Sequence, residues 1–471
     1  MPEAGPHGRT QRVHAGPSSA EEAIGDSADR KRIVVLGGGF AGAYAARHLQ
    51  RQLAGRDVEI ALFAHENFVL FTPMLHEVAG ADVSVADIVQ PLRKMLRRTA
   101  VHVGEIQAID LEKRRVRVAH EGLPQALEVP YDQLVLALGS VTNFYRIPGL
   151  EQHALTMKTL GDAILVRNRA IDALGLADNQ LDDSERRVTL TVVIAGGGFA
   201  GTETAGAVND LLREAMKFYR NVKPDLLRIV LADPGDHLLP ELGESLGRYA
   251  AERLRARGVE IRLGSGSRVV GYDGQQVALA DGDKIATRML IWTAGITPSP
   301  LLGSLRCKSE RGRLVANEFL QVPDWPGVWA LGDCALVPDS SKPGSFCPPT
   351  AQHAVRQAAV LARNVAATLD GRPLQPFRFK IIGLLATIGR RTGVAEILGL
   401  RFSGLVAWVL WRGIYLAKLP GFQKKVRVLI DWTLDLFFSK DIVQLPTVRS
   451  PVVSEPDAPA TAAASPVPRR P

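Results

Sequence analysis

The chain has 471 residues, 46% hydrophobic and 23% charged, enough for two or three domains with ordinary globular cores. Its three cysteines (Cys307, Cys334 and Cys347) show no C-x-x-C spacing and no even pairing, so neither a disulfide scaffold nor a metal site is expected, and a reducing compartment fits best. The net charge is +8, and residues 378–440 alone carry eleven Lys/Arg against three acids, so the rest of the chain balances to zero.

Residues 1–30 mix Gly, Pro, Ser and Glu without an apolar core. They read as a disordered lead-in, neither signal peptide nor membrane anchor. The β-branched run Ile33–Leu36 predicts a buried strand. It enters a G-x-G-x-x-G loop with Gly37, Gly39 and Gly42 at the fixed positions, Phe40 and Ala41 between the last two, and an alanine-rich helix behind. The first glycine of such a loop permits a tight turn and the second lets backbone approach a pyrophosphate. The third lets helix and strand pack closely, with the anion on the helix N-terminus. The next strand, Val58–Phe63, leads to Ala64-His65-Glu66. The acid expected at such a strand end is missing, and Glu66 is its candidate substitute.

Two strands ending in glycine turns, Tyr131–Ser140 and Ile291–Gly295, would carry the chain into and out of an inserted domain. Inside the insert, Val192–Ala195 and the glycines Gly196, Gly198 and Gly201 repeat the first motif 159 residues on. Two such loops in strand–loop–helix context indicate two dinucleotide sites, and hence an internal redox relay. The strand within Leu227–Pro240 ends at Asp233. A carboxylate there would accept hydrogen bonds from an adenosine ribose and repel a 2′-phosphate, favouring NAD(H) over NADP(H). An ordinary turn acid before Pro234-Gly235 is the alternative. Gly327–Ala335 is another buried strand ending in Gly332-Asp333, where Asp333 would accept from sugar-alcohol hydroxyls. Pro348 and Pro349 suit a helix start, which puts Gln352 in its first turn.

Residues 403–421 are apolar on nearly every side, with Trp408, Trp411 and Tyr415 among aliphatics and Arg412 inside. The helix is too short for the roughly twenty residues a span needs. In the segment that follows, Val426, Leu429, Ile430, Leu434, Phe437 and Phe438 share one helical face, with Lys424 and Lys425 off it. Apolar face, aromatics and flanking cations predict that residues 403–440 lie on a membrane surface rich in anionic lipid. A homodimer contact or a core-capping helix pair is the competing expectation. The aliphatic surface between the charges argues against nucleic acid.

From about residue 31 to 445 the chain resembles the type II NADH dehydrogenases, non-pumping NADH:quinone oxidoreductases of the two-dinucleotide-binding-domain flavoprotein superfamily. The likeness rests on both glycine loops, WALGDCA, AQHAVRQ, FVLFTPMLHEVAG and AWVLWRGIYLAKLPG. It implies an α/β chain with two Rossmann-like domains: FAD on residues 31–152 and 285–370, NAD(H) on an insert at 153–284. A membrane-associated helical segment at 371–446 and a disordered tail at 447–471 follow. FAD would meet the first loop, Gly332, Asp333 along its ribityl chain and Pro73 beside its ring, with Gly295 at the cofactor turn. NADH would use the second loop. Glu203 would lie near nicotinamide and flavin as a proton relay, and Gln352 would face flavin or quinone. The second glutamine position of the quinone motif holds Arg356, with Gln357 displaced by one. For Glu203, bonding to loop amides is the alternative, and for Gln352 a local helix-start bond. His353 reads as structural. The implied reaction is NADH oxidation with two-electron reduction of a membrane quinone, peripheral to the cytoplasmic face of the cell membrane. A sulfide:quinone oxidoreductase, which needs two cysteines at the flavin, and a NAD(H)-responsive redox sensor are the rivals.

Overall fold

The computed structural model describes residues 30–120 and 122–445; the expected lead-in (but for residue 30) and the tail lie outside them. β1 (Lys31–Leu36), β2 (Val58–Ala64), β3 (Ala100–Val103) and β4 (Gln133–Leu136) begin a parallel sheet. The chain then builds a second parallel sheet from β5 (Leu155–Thr156), β6 (Thr191–Ala195), β7 (Arg228–Asp233), β8 (Val259–Leu263) and β9 (Met289–Trp292). It returns with β10 (Val328–Ala330) to finish the first. The strand orders are β10-β4-β1-β2-β3 and β5-β9-β6-β7-β8. In each sheet the order reverses beside the strand that enters a glycine loop, which opens a crevice at the carboxyl ends of the strands. The two loop-bearing strands are buried along their apolar lengths, as sheets covered on both faces require.

The boundary expected at 284/285 falls inside the second unit. Met289–Trp292 pairs with β6, Val192 opposite Met289, because a buried β-run adds to the nearest open strand edge. The chain leaves afterwards through an antiparallel ribbon of Ser140–Thr142 and Ile296–Pro298.

Six helices position the site: α1 (Phe40–Gln52), α2 (Leu75–Ala79), α3 (Phe199–Ala215), α4 (Ala351–Leu369), α5 (Gly404–Lys418) and α6 (Phe422–Leu434). Between α4 and α5 lies an antiparallel sheet, β11 (Gly383–Thr387), β12 (Gly393–Ile397) and β13 (Leu400–Ser403). It packs on α3, and at Gly206 the two backbones meet with no side chain between. A Cβ on Gly206 would stand 2.6 Å from the Gly389 nitrogen and 2.8 Å from the Ile388 carbonyl carbon.

No helix among the described residues is long and apolar enough to cross a membrane. The aromatics expected as interfacial anchors on α5 turn inward. Trp411 is fully buried and Trp408 nearly so, and Trp411 joins Val428 and Trp432 in one core with α2 and α3. Arg412 explains the inversion, since its guanidinium lies 3.9 Å from the Trp408 ring centre and 4.7 Å from that of Trp432. The outward face consists of Leu405, Val406 and Val409, then Leu429, Ile430 and Leu434 of α6, with Phe437 and Phe438 beyond.

Gly206→Ala should force α3 and the Gly389 turn apart and cost about 1–3 kcal/mol, the usual range for overpacking. Denaturant unfolding would register the loss; an unchanged midpoint would mean that the sheet is not held against α3.

Candidate active site

Both loops have the steric form a pyrophosphate cradle needs. A Cβ on Gly42 would lie 1.9 Å from the Gly37 carbonyl oxygen, and one on Gly201 would lie 1.8 Å from that of Gly196. Nothing stands within 4 Å of a Cβ on Gly39 or Gly198, so those positions face open space at the starts of α1 and α3. Gly37 and Gly196 take φ of 111° and 115°, a region that side chains other than hydrogen disfavour.

The loops differ at one position. Asp233 accepts from Gly197 N at 2.6 Å and Gly235 N at 2.7 Å, tying loop to turn. Its counterpart is Ala64: a Cβ on Gly38 would meet Ala64 Cβ at 2.7 Å, as one on Gly197 would meet Asp233 Cβ at 3.0 Å. Glu66 is exposed and borders a separate cavity of about 570 Å³ with Asn67, Arg93, His102 and His120.

The units share a cavity of about 840 Å³. The structure brings Phe40, Pro73, Glu203, Gly295 and Gln352 to its wall, with Arg356, Tyr415 and Lys418. Asp333 stands behind, accepting from Ser140 Oγ at 2.8 Å, and Lys158, itself on the wall, donates to the same hydroxyl at 2.8 Å. Gln352 Nε2 donates to the Gly383 carbonyl at 2.7 Å. Gln357 instead accepts from Gly332 N at 2.8 Å, holding the turn before Asp333. His353 is buried against Thr350 and Phe379, a structural place. Gly332 is held at φ 73°, where a Cβ would meet Ala41 Cβ at 2.8 Å.

Glu203 is 8% exposed. Oε1 accepts from Thr387 N at 3.1 Å, and Oε2 lies 3.4 Å from His76 Nδ1. Burial holds its carboxyl well above the usual range, and the neighbouring Glu77 adds to the shift. Burial also drives His76 down to about 3, helped by Lys440, so the pair is acid and neutral imidazole rather than an ion pair. His76 Nε2 meets Thr387 Oγ1 at 2.9 Å. Nδ1 is then able to accept from a protonated Oε2. His76, Glu77, Thr387 and Lys418 escaped the sequence reading, and Tyr415 entered it only as an aromatic of the apolar helix. Adjacent titratable residues inside the apolar run around MLHEVAG were the available signal.

The pyridine nucleotide-disulphide oxidoreductase family profile matches residues 31–358, and that of the NDH2 C-terminal domain matches residues 382–441. The type II NADH:quinone oxidoreductase Ndh of Mycobacterium tuberculosis is 33% identical over 431 residues, 88% of this chain and 90% of that protein. The chain belongs to the type II NADH:quinone oxidoreductase family. The demethylphylloquinone reductase NdbB of Synechocystis sp. is 31% identical, covering 86% of this chain and 96% of its own length. NDH2 from Plasmodium falciparum, solved in complex with NADH, shares the fold at 18% identity with a TM-score of 0.80, covering 88% of this chain and 100% of that one. Membership implies a flavin beside the pyridine nucleotide.

It does not bring a redox disulfide. All three cysteines are free, and burial pushes each thiol up to about 11. Cys334 is fully buried against the Leu136 and Leu331 carbonyls, and a thiol held protonated by burial is a poor nucleophile for the sulfur transfer that sulfide oxidation needs.

Glu77 accepts from Trp432 Nε1 at 2.8 Å, yet burial raises it from the ordinary 4.5 to about 8. The stability of its neutral form is therefore complete below pH 4.5 and lost as pH rises through about 8. Glu77→Gln, neutral throughout, should lose less melting temperature than the parent between mildly acidic and mildly alkaline buffer. Parallel pH–melting curves would contradict a buried, protonated Glu77.

Proposed function

We propose that this chain oxidises NADH and reduces a membrane quinone by two electrons, with FAD as the flavin and without proton pumping. One observation carries the reading. The first residues of both loop helices, Phe40 and Phe199, line the same cavity as Glu203 and Gln352. Two nucleotides bound on the two helix N-termini would bring their reactive ends into one chamber.

The first loop, Gly37, Gly39 and Gly42 with Phe40 and Ala41, would take the FAD pyrophosphate. Pro73, Gly295 and Gly332 would border it, and Asp333, oriented by Ser140 and Lys158, would accept from its hydroxyls. When bound, FAD supplies the two-electron exchange with nicotinamide and quinone. Gly196, Gly198 and Gly201 would seat NADH, with Asp233 accepting from its adenosine ribose. Gln352, fixed through one amide N–H, keeps its second N–H to donate to a carbonyl ligand. Glu203, protonated by burial, is the group that holds a proton at the wall of this chamber.

The reading is tested by steady-state turnover with NADH or NADPH against benzoquinones and naphthoquinones. NADH should be strongly preferred, and Asp233→Ser should narrow the gap in kcat/KM between the two. Equal use of both by the parent protein would remove Asp233 from the ribose.

The same reading puts the protein on the cytoplasmic face of a membrane, as the family resemblance implies, with the outward face of α5 and α6 in the lipid. Its cations are partly spent at home. Lys424 bonds the Ala86 carbonyl and approaches Asp87, Arg427 lies 3.6 Å from Asp87, and Lys425 donates to the Ala417 carbonyl at 2.7 Å. Apolar insertion therefore carries more of the binding than attraction to anionic lipid. Leu405→Glu with Val409→Glu, at positions 58% and 55% exposed, should release the protein from anionic vesicles at unchanged melting temperature. Continued co-sedimentation would leave the face to a second copy of the chain.

A further inference from the structure

Behind Glu203, away from the large chamber, lies a second cavity of about 20 Å³. Its wall includes His76, Glu77, Asp82 and Glu203, and it closes on Asp210, Arg390, Arg412 and Asp435. Glu203 and His76 are common to both cavities. We propose that this small cavity is a proton inlet holding one water, through which Glu203 is recharged by way of Glu77 and Asp435; this rests on Glu203 as the proton donor of the chamber.

The volume suits a single water, and the wall asks for one. Asp435 Oδ2 and the Nε atoms of Arg390 and Arg412 are buried without a hydrogen-bond partner. Asp435 Oδ2 stands 3.8 Å from both Arg412 Nη2 and Arg390 Nε, too far to bond directly, so a water in the cavity would satisfy groups the protein leaves unpaired.

Acids outnumber cations around it. From α2 and its following turn come Glu77 and Asp82, and from α3 come Glu203 and Asp210. Asp435 follows α6. Against these five carboxyls stand Arg390 after β11, Arg412 on α5, Lys440 on Asp82 and Arg257 on Asp210. A buried group with more carboxyls than cations keeps at least one proton. Burial raises Glu77 to about 8 and Asp82 to about 6, bracketing neutrality, where a relay exchanges protons most readily. Arg390, whose side chain is 29% exposed, forms the solvent side.

The stoichiometry requires such a route. NADH, H⁺ and quinone become NAD⁺ and quinol. The hydride brings both electrons and one hydrogen, so one further proton enters from water in each turnover. Glu203 gives that proton up and takes the next from the bridging water.

The experiment uses the full-length, FAD-loaded protein with a short-tailed benzoquinone. Glu77→Gln and Asp435→Asn should leave single-turnover bleaching of the flavin by NADH within about two-fold of the parent, while quinone turnover falls by about ten-fold or more, the scale of a lost acid–base group. Turnover should then become sensitive to deuterated solvent and recover partly with formate, a small acid able to replace the missing carrier. Full quinone turnover in both variants, with Glu203→Gln slow, would overturn the inlet and leave Glu203 standing. Full turnover in all three would remove Glu203 as donor and the inlet with it. Should Glu77→Gln fail to fold, Trp432→Phe keeps an aromatic ring beside Arg412 but deletes the N–H that favours ionised Glu77, and its melting temperature reports the cost of the lost indole volume. Its alkaline limb of turnover should move to higher pH, and an unmoved limb would count against the route.

Discussion

The first strand of the C-terminal sheet lies over the start of α3, and the chemistry of the chamber depends on that contact. Thr387 N bonds Glu203, the Thr387 hydroxyl bonds His76, and the Gly383 carbonyl holds Gln352. Leu384 and Leu385 close the wall between. Without β11 Glu203 would meet water, its carboxyl would return to the ordinary range, and it would hold no proton near neutral pH. Glycine at 206 lets the backbones approach closely enough for this, where any side chain would collide with the Gly389 turn.

The same docking redistributes charge. The basic excess of residues 378–440 looked like a lipid-facing surface, but several of its cations work inside the protein. Lys440 is almost wholly buried on Asp82 and the Gly80 carbonyl, and Arg412 is sandwiched by two tryptophans. Arg390 reaches Glu214 and Asp435. These cations offset the carboxyls around the small cavity without neutralising all of them. What remains outside is mainly aliphatic, so the surface presents apolar contact more than charge.

Glycine loops are legible in a sequence because their requirement is local. Gly42 must clear an oxygen five residues away in the same turn, whatever else the fold does. The acid at the end of β7 and its absence at the end of β2 could be read the same way, from strand length alone. The C-terminal sheet could not. Its strands are five, five and four residues long, and their pairing is decided by α3 and α5 rather than by their own pattern. The inward turn of Trp408 and Trp411 was hidden for a related reason. Periodicity marks a helix face as apolar, but only the partner decides which apolar face is covered, and the partner of Arg412 is Asp435, more than six turns of chain away. Glu203 came from the family resemblance, which implies a glutamate two residues past the second loop's last glycine, whereas His76 and Glu77 come from a short helix with no spacing signature.

The two loops are near copies, yet the protein treats their contents differently. The returning strand β10 places Gly332 and Asp333 against the first loop so closely that Gly332 has no room for a side chain beside Ala41, and Gln357 pins the turn from α4. That loop is therefore walled by two segments far apart in the chain. The second loop is tied through Asp233 to Gly197 and through Thr293 to the Ala195 carbonyl, and the helix behind it is covered by the C-terminal sheet at Glu203 and Gly206. Each loop thus carries a cover from a distant part of the chain, β10 over the first and the C-terminal sheet over the helix of the second, and only the second has a carboxylate at its strand end.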